Sequence, residues 1–385
     1  MYRHLYLITL LSVFLFIRCV GDEKIPVNGI TLNTTALSLG IGETETLETA
    51  VMPSYADNKT VKWKSDDETI AVVDANGKVT AKAQGLTIIT ATTIDGDYKA
   101  TCTVVVNGMT MTTSEYEVLI YLGGYEEATI DWGDGKRETF ILTGSGINDE
   151  FRHDYSKNTT TKIISIVGVN ILLLNCENNQ ITSLDVSKYT KLRNLICSIN
   201  KLTSLDISKN TALTILNCYY NQLISLDVSN NTALRSLNCM INQIMNLDVS
   251  NNSALTFLDC YYNRLTYLDV SKNTVLKWFG CGANQLTNLD VNNNTELTHF
   301  DCQYNQLTSL DVSNNINLAD NDDNLAALNC FNNKMDAASL NSLFGTLHSN
   351  LGNKTILIGN NPGTTTCNKS VAEGKGWTVD TIRDF

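Results

Sequence analysis

Cysteine recurs at positions 176, 197, 218, 239, 260, 281 and 302, each 21 residues after the last. An eighth, Cys330, follows after 28, one period plus seven residues. Asn stands three residues after every one of the eight, from Asn179 to Asn333. Asp stands nine residues after the first seven, from Asp185 to Asp311. One unit reads Leu213-x-x-Leu216-x-Cys218-x-x-Asn221-x-Leu223-x-x-Leu226-Asp227-Val228-Ser229. A period this short constrains the fold severely, because a single unit cannot bury its own apolar face. Neighbouring units must stack and share one continuous core. Leu216 and Cys218 are two residues apart, so a strand turns both to the same side. Stacked turns then align the thiols in a buried column ~4.8 Å apart, where Cys packs as a small hydrophobe. A redox or thiolate-metal ladder would need Cys-x-x-Cys pairs or His companions, which the repeat lacks. The Asn column is expected to hydrogen-bond backbone in the turn leaving each strand. The Asp column lies between inward Leu and Val, so it faces out and bonds turn backbone. A row of Ca²⁺ sites is the alternative, but the Gly-rich nonapeptide of Ca²⁺ β-rolls is missing. No Pro falls between residues 163 and 333, as a ladder needing every N–H requires.

The unit resembles the leucine-rich repeat, with Cys in place of the third apolar residue. The short period, the Cys-for-Leu choice and the Leu-Asp-Val-Ser half resemble the Cys-ladder repeats of internalin-like surface proteins. That resemblance implies adhesion or partner binding. A solenoid must hide both ends. Residues 162–168 read as a degenerate first turn. Beyond Cys330 the pattern fades. Residues 336–348 have the spacing of an amphipathic helix, with Asp336 as N-cap and Leu340, Leu343, Phe344 and Leu347 on one face. A strand at Thr355-Ile356-Leu357-Ile358 follows. Residues 334–385 are expected to form a small α/β cap. The seven extra residues fall near an acidic stretch at 318–324, expected to be a solvated bulge.

Residues 25–107 hold short β-branched runs separated by Asp74-Ala75-Asn76-Gly77 and Asp95-Gly96, the spacing of a small sandwich. Trp63-Lys64-Ser65-Asp66-Asp67, Ile70-Ala71-Val72-Val73, Gly77-Lys78-Val79-Thr80-Ala81 and the closing 100–106 strand resemble a group 2 bacterial Ig-like domain. In residues 109–162, Thr129-Ile130-Asp131-Trp132-Gly133-Asp134-Gly135 and Phe151-Arg152-His153-Asp154-Tyr155 resemble a PKD-type sandwich. Asp131 and Asp134 are a candidate Ca²⁺ pair, though turn backbone is the more ordinary partner for them. The expected fold is mainly β: a leucine-rich repeat solenoid of about eight 21-residue repeats over residues 163–333, behind two small Ig-like β-sandwiches.

At the N-terminus, Arg3 and the apolar run to Ile17 read as a signal peptide, residues 1–18. The run is too short to span a bilayer as a helix, which takes ~20 residues. Phe16-Ile17-Arg18-Cys19 resembles a lipobox, with Arg18 where a small residue is usual. Asp22 and Glu23 behind it resemble the surface-export signal of some Gram-negative lipoproteins. The resemblance implies lipid attachment at Cys19, a linker over 19–24, and an outer-membrane, cell-surface location. The 11 cysteines then divide into this anchor, the eight-member column, and two outliers, Cys102 and Cys367.

A net charge of −12 excludes a phosphate-neutralising nucleic-acid surface and electrostatic docking on anionic lipid. Membrane contact is expected only through Cys19, and the chain is expected to be a monomer. A partner is expected on the concave face of the array, where strand residues not used for the core point outward. There the middle repeats carry Tyr219, Tyr220, Phe257, Tyr261, Tyr262, Trp278 and Tyr304, with His299 and the carboxylates Asp259 and Asp301 among them. Gly280 and Gly282 are expected to leave a gap beside Trp278. Aromatic rings suit a protein ligand and also stack on sugar, so a glycan is the alternative occupant. His299 with Asp259 and Asp301 is the one candidate proton-relay group. No nucleophile elbow, metal triad or phosphate loop accompanies it, so no enzymatic activity and no cofactor are expected.

Overall fold

The computed structural model describes residues 24–320 and 326–382. The expected signal peptide, Cys19 and most of the acidic insertion lie outside the described residues.

Residues 29–106 form the expected small sandwich. One sheet orders Ala36–Leu39, Lys99–Val106, Gly85–Thr93 and Val61–Ser65, and a second orders Thr44–Thr46, Lys78–Ala81 and Ala71–Val73. Alternating residues from both sheets, including Val79, Ile89, Cys102 and Val104, close the core. The Asp74 turn forms as its residues dictate. Asp74 Oδ1 accepts the N–H groups of Asn76 and Lys78, and Gly77 takes φ +81°. A Cβ at Gly77 would stand 2.5 Å from the Leu47 carbonyl oxygen, so no other residue fits there.

The stretch from 109 to 162 differs from the expected second sandwich. Its strands, Met109–Thr113, Glu117–Asp131 and Arg137–Asp154, join the same 14-stranded sheet as the solenoid. The connecting strand is Lys162–Asn175. It pairs antiparallel with Glu117–Asp131 on one edge and parallel with Asn194–Ile196 on the other. Met109, Met111, Ile120 and Trp132 share one apolar cluster with Leu184, Leu195 and the repeats beyond. The physical reason is the open end of the array, whose first Leu layer would otherwise face water. Asp131 and Asp134 are spent on this cap. Asp131 accepts the Gly133 N–H and an Arg137 N–H at 3.0 Å. Asp134 accepts the Lys136 N–H and lies 2.9 Å from His153 Nε2, whose ring stacks on Trp132. Among the described residues no group of three or more His, Cys, Asp or Glu is placed to hold a metal ion.

The sandwich sits directly on this cap. Leu86, Val105 and Val167 bury one another, Gln84 Nε2 donates to the Gly168 carbonyl, and Lys188 pairs with Glu43 at 2.7 Å.

In the array, three-residue strands pair parallel and in register, Asn194 with Ile215, then Ser236, Phe257, Trp278 and His299. The eight column cysteines are all fully buried and unbridged. Burial pushes Cys176 and Cys330 up to about 12 and the six between them well above the ordinary thiol value. Each Asn of the first column ties two turns together. Asn263 Nδ2 donates to the Cys239, Cys260 and Tyr261 carbonyls, and its Oδ1 accepts the Ile244 N–H at 3.0 Å. Each Asp of the outer column accepts the N–H two residues on, as Asp227 does from Ser229 at 2.9 Å.

A second Asn column, not expected above, runs through Asn210, Asn231, Asn252, Asn273, Asn294 and Asn315, each fully buried. Asn252 Nδ2 donates to the Val228 and Asn231 carbonyls at 3.0 and 2.9 Å. Its signal was present, since these residues also stand 21 apart. The cap after Cys330 contains the expected helix, Ala337–Thr346, with Asp336 accepting the Ser339 N–H. Its strands Thr355–Leu357 and Thr378–Asp380 continue the same parallel ladder. Asn361 takes the ladder role there, donating to the Cys330 and Ile358 carbonyls at 2.9 Å.

The residue two places after each Cys takes a left-handed backbone, whatever its side chain. Asn178 and Asn332 suit that conformation, whereas Ile199, Ile241, Tyr220 and Tyr262 adopt it at φ between 51° and 55°. Replacing Ile241 by Asn is therefore expected to raise stability by about 1 kcal/mol in urea unfolding. A loss of stability would show that Ile241 packing outweighs its backbone strain.

Candidate binding face

In the middle repeats, strand residues three and one before Cys lie on the side away from the leucine layers, and the first of these positions builds the main feature. Phe257, Trp278 and His299 are in-register neighbours on successive strands. Parallel pairing brings their rings into one stack. Phe257 and Trp278 lie 5.8 Å apart at 15°, and Trp278 and His299 lie 3.8 Å apart at 20°. Both faces of the indole are thus covered, and Trp278 offers its edge. Phe257 and Trp278 are half-buried. His299 is only 5% exposed, which corrects the expectation that it contacts a partner. Burial lowers its pKa to about 4, against a smaller opposing pull from Asp320. The imidazole is neutral at physiological pH and serves as backing for Trp278, not as an accessible base. That removes the exposed base from the candidate proton relay.

The position one before Cys carries amide or acid side chains in every turn but those of Ile196 and Gly280, and they hold the strand end. Asn217, Asn238, Asp259 and Asp301 each accept the N–H two residues on. Asp301 also accepts from Gln303 Nε2 at 2.8 Å and from Asn329 Nδ2 at 3.3 Å. Burial raises the Asp259 carboxyl above its ordinary value, and the Tyr261 N–H pulls the other way. The expected gap at Gly280 and Gly282 is absent. A Cβ at Gly280 would lie 2.9 Å from Asp259 Oδ1, and one at Gly282 would lie 2.8 Å from the Tyr261 ring. The glycines are small because those neighbours occupy the space.

The tyrosines differ in exposure. Tyr220 and Tyr262, on the left-handed bend, are 54% and 59% exposed, whereas Tyr304 on the same bend is half-buried. Tyr219 and Tyr261 are half-buried as well. Tyr219 donates to Glu177 Oε1 at 3.0 Å, and the Tyr304 ring leans on Phe331 at 5.7 Å. The structure therefore gathers Phe257, Trp278 and Tyr261 around Asp259, places Tyr220 and Tyr262 at the rim, and withdraws His299 into the interior. The ring stack itself was not legible from spacing alone, although the in-register Phe, Trp and His at one repeat position was its signal.

Residues 26–104 match the sequence family described as the bacterial Ig-like domain (group 2). An uncharacterized protein of Clostridium acetobutylicum is 40% identical over 85 residues, 22% of this chain and 9% of that protein. The Ig-like virion protein of Serratia phage KSP90 is 39% identical over 84 residues, 22% of this chain and 33% of that protein. The matched stretch thus spans no more than a third of these relatives. Among solved structures, the functional domain of InlJ from Listeria monocytogenes, which includes a cysteine ladder, is similar with a TM-score of 0.42. It is 30% identical, over 54% of this chain and 52% of that one. The chain contains a group 2 bacterial Ig-like domain ahead of a leucine-rich repeat solenoid with a cysteine ladder.

Proposed function

We propose that the chain is a non-enzymatic, surface-anchored binding protein whose strand face engages a protein ligand. Lipidated Cys19 would hold it at the outer membrane, and the Ig-like domain with its cap would carry the array outward. The observation that carries the reading is the Phe257–Trp278–His299 stack. Rings locked by their neighbours lose little entropy on binding, and half-exposed aromatic edges are the usual anchors of protein interfaces. The same stack weighs against the glycan alternative, because sugar packs on an open ring face and both faces of Trp278 are taken. The strain at Tyr220 and Tyr262 points the same way, since Asn would fold there at lower cost.

The test compares capture from host and community protein mixtures by the intact chain and by Trp278→Ala, alongside a glycan array. Removing a central aromatic anchor is expected to weaken the captured complex roughly 30- to 100-fold. A Tyr262→Ser variant, at an exposed rim position, separates binding from folding and is expected to weaken it about fivefold. Unchanged capture by both variants would sink the strand-face reading, and array binding lost in both would transfer it to glycans.

A further inference from the structure

Besides the strand face, the array carries an apolar ridge on the flank where the chain leaves each strand. The position six residues after Cys is Thr in most turns: Thr182, Thr203, Thr266, Thr287 and Thr308. In the two central turns it is Ile224 and Met245, 56% and 51% exposed, with the Met245 N–H reaching the Ile224 carbonyl at 3.4 Å. One turn on, the six-after-Cys residue is Thr266, and Tyr267 next to it is 70% exposed. These side chains lie between the inward apolar residues that flank them, such as Ile244 and Leu247 around Met245, so folding gives them nothing to cover. Tyr220 and Tyr262 stand exposed at the bend that leads into the same flank.

The charge pattern varies along the outer row, where the residue three after each Asp is Lys in the turns of Asp185, Asp206 and Asp269 and Asn in the other four. The outer carboxylates follow the six-after-Cys position by three residues, one per turn. Asp206 and Asp269 are held down mainly by Ser208 and Ser271, with help from Lys209 and Lys272. In the two ridge turns the lysine position is Asn230 and Asn251. Asp227 and Asp248 are left with only Ser229 and Ser250 to hold them down, and Asp227 repels Asp248. Asp290 and Asp311 also lack the lysine, but their turns carry Thr287 and Thr308, so an exposed apolar side chain at this position and a carboxylate without a lysine neighbour meet only in the two central turns.

We propose that the ridge formed by Ile224, Met245 and Tyr267, with Asp227 and Asp248 beside it, is a second docking surface for a protein segment that interleaves Lys or Arg with apolar side chains. The apolar side chains of the partner cover the ridge, and its cations meet the two carboxylates, which are already spaced one turn apart. A second copy of this chain would set carboxylates against carboxylates and is disfavoured. The surface is independent of the ring stack, so either one stands if the other fails.

The probe is a fluorescent peptide of alternating Leu and Lys, titrated with the full chain by anisotropy at low and high salt. Asp227→Asn with Asp248→Asn keeps both turn hydrogen bonds and is expected to weaken binding about tenfold at low salt. The control, Asp290→Asn with Asp311→Asn, makes the same charge change elsewhere in the row and is expected to cost less than about twofold. Ile224→Thr with Met245→Thr installs the residue of the other turns. It is expected to weaken binding about fivefold at unchanged melting temperature. Trp278→Ala is expected to leave this titration unchanged. Equal losses from the two Asp pairs, or no loss from the Thr pair, would overturn the proposal.

Discussion

Raising the pH from 8 to 10 is expected to unfold the solenoid cooperatively. Eight thiols lie in one fully buried column, each with its pKa pushed far above the ordinary value by burial. Each binds its proton more tightly folded than unfolded. Its contribution to stability is therefore complete below the unfolded pKa, about 8.5, and is lost as pH climbs toward the folded value. At pH 9.5 each thiol withdraws roughly 1.4 kcal/mol, so the column withdraws on the order of 11 kcal/mol. A typical domain has only about 5–15 kcal/mol to lose. Burial also raises Tyr155 and Tyr189, which adds to the loss above pH 10. Circular dichroism against pH in the presence of a reductant measures the midpoint. A midpoint above pH 11 would show that the thiols do not control alkaline stability. Replacing several column cysteines with Val should move the midpoint upward.

The second large effect lies in the first Asn column. Asn263→Ala removes bonds to the Cys239, Cys260 and Tyr261 carbonyls and orphans the Ile244 N–H. An unsatisfied buried backbone group costs about 1–3 kcal/mol, so a loss of about 4 kcal/mol is expected in urea unfolding. Asn251 provides the contrast. It is exposed, and its one side-chain bond, to the Ser229 carbonyl, spans 3.2 Å. Asn251→Ala should cost less than about 0.5 kcal/mol. Similar losses in the two variants would mean that helical stacking of the leucine layers, not the amide ladder, holds the turns in register.

What the sequence disclosed and what it hid follow one physical division. Depth is encoded locally. Leu216, Cys218, Leu223, Leu226 and Val228 announce their burial through spacing within one turn, and all are buried. The left-handed bend was hidden, because Ile199 and Tyr220 disguise a position that Asn marks elsewhere. Contacts between turns were also hidden. Trp278 reads as an open ring until Phe257 and His299 are placed against it. Gly280 reads as a hole until the Asp259 carboxyl is placed inside it. The 109–162 stretch carried a legible turn, Asp131-Trp132-Gly133, but its partner strand lies in the array. A motif of one unit does not show which unit it will cover.

The amide ladder also bears on how such a chain can change over time. Asn263 reaches only its own turn and the one before it, and the same is true of Asn221, Asn242 and Asn284. Every interior turn thus presents the same socket to its successor. Unequal recombination that adds or deletes whole 21-residue units would leave each socket filled, and both caps would meet the faces they meet now. Length is then a freely inherited variable. Turns can be multiplied first and given new surface residues afterwards, with the buried asparagines keeping the count.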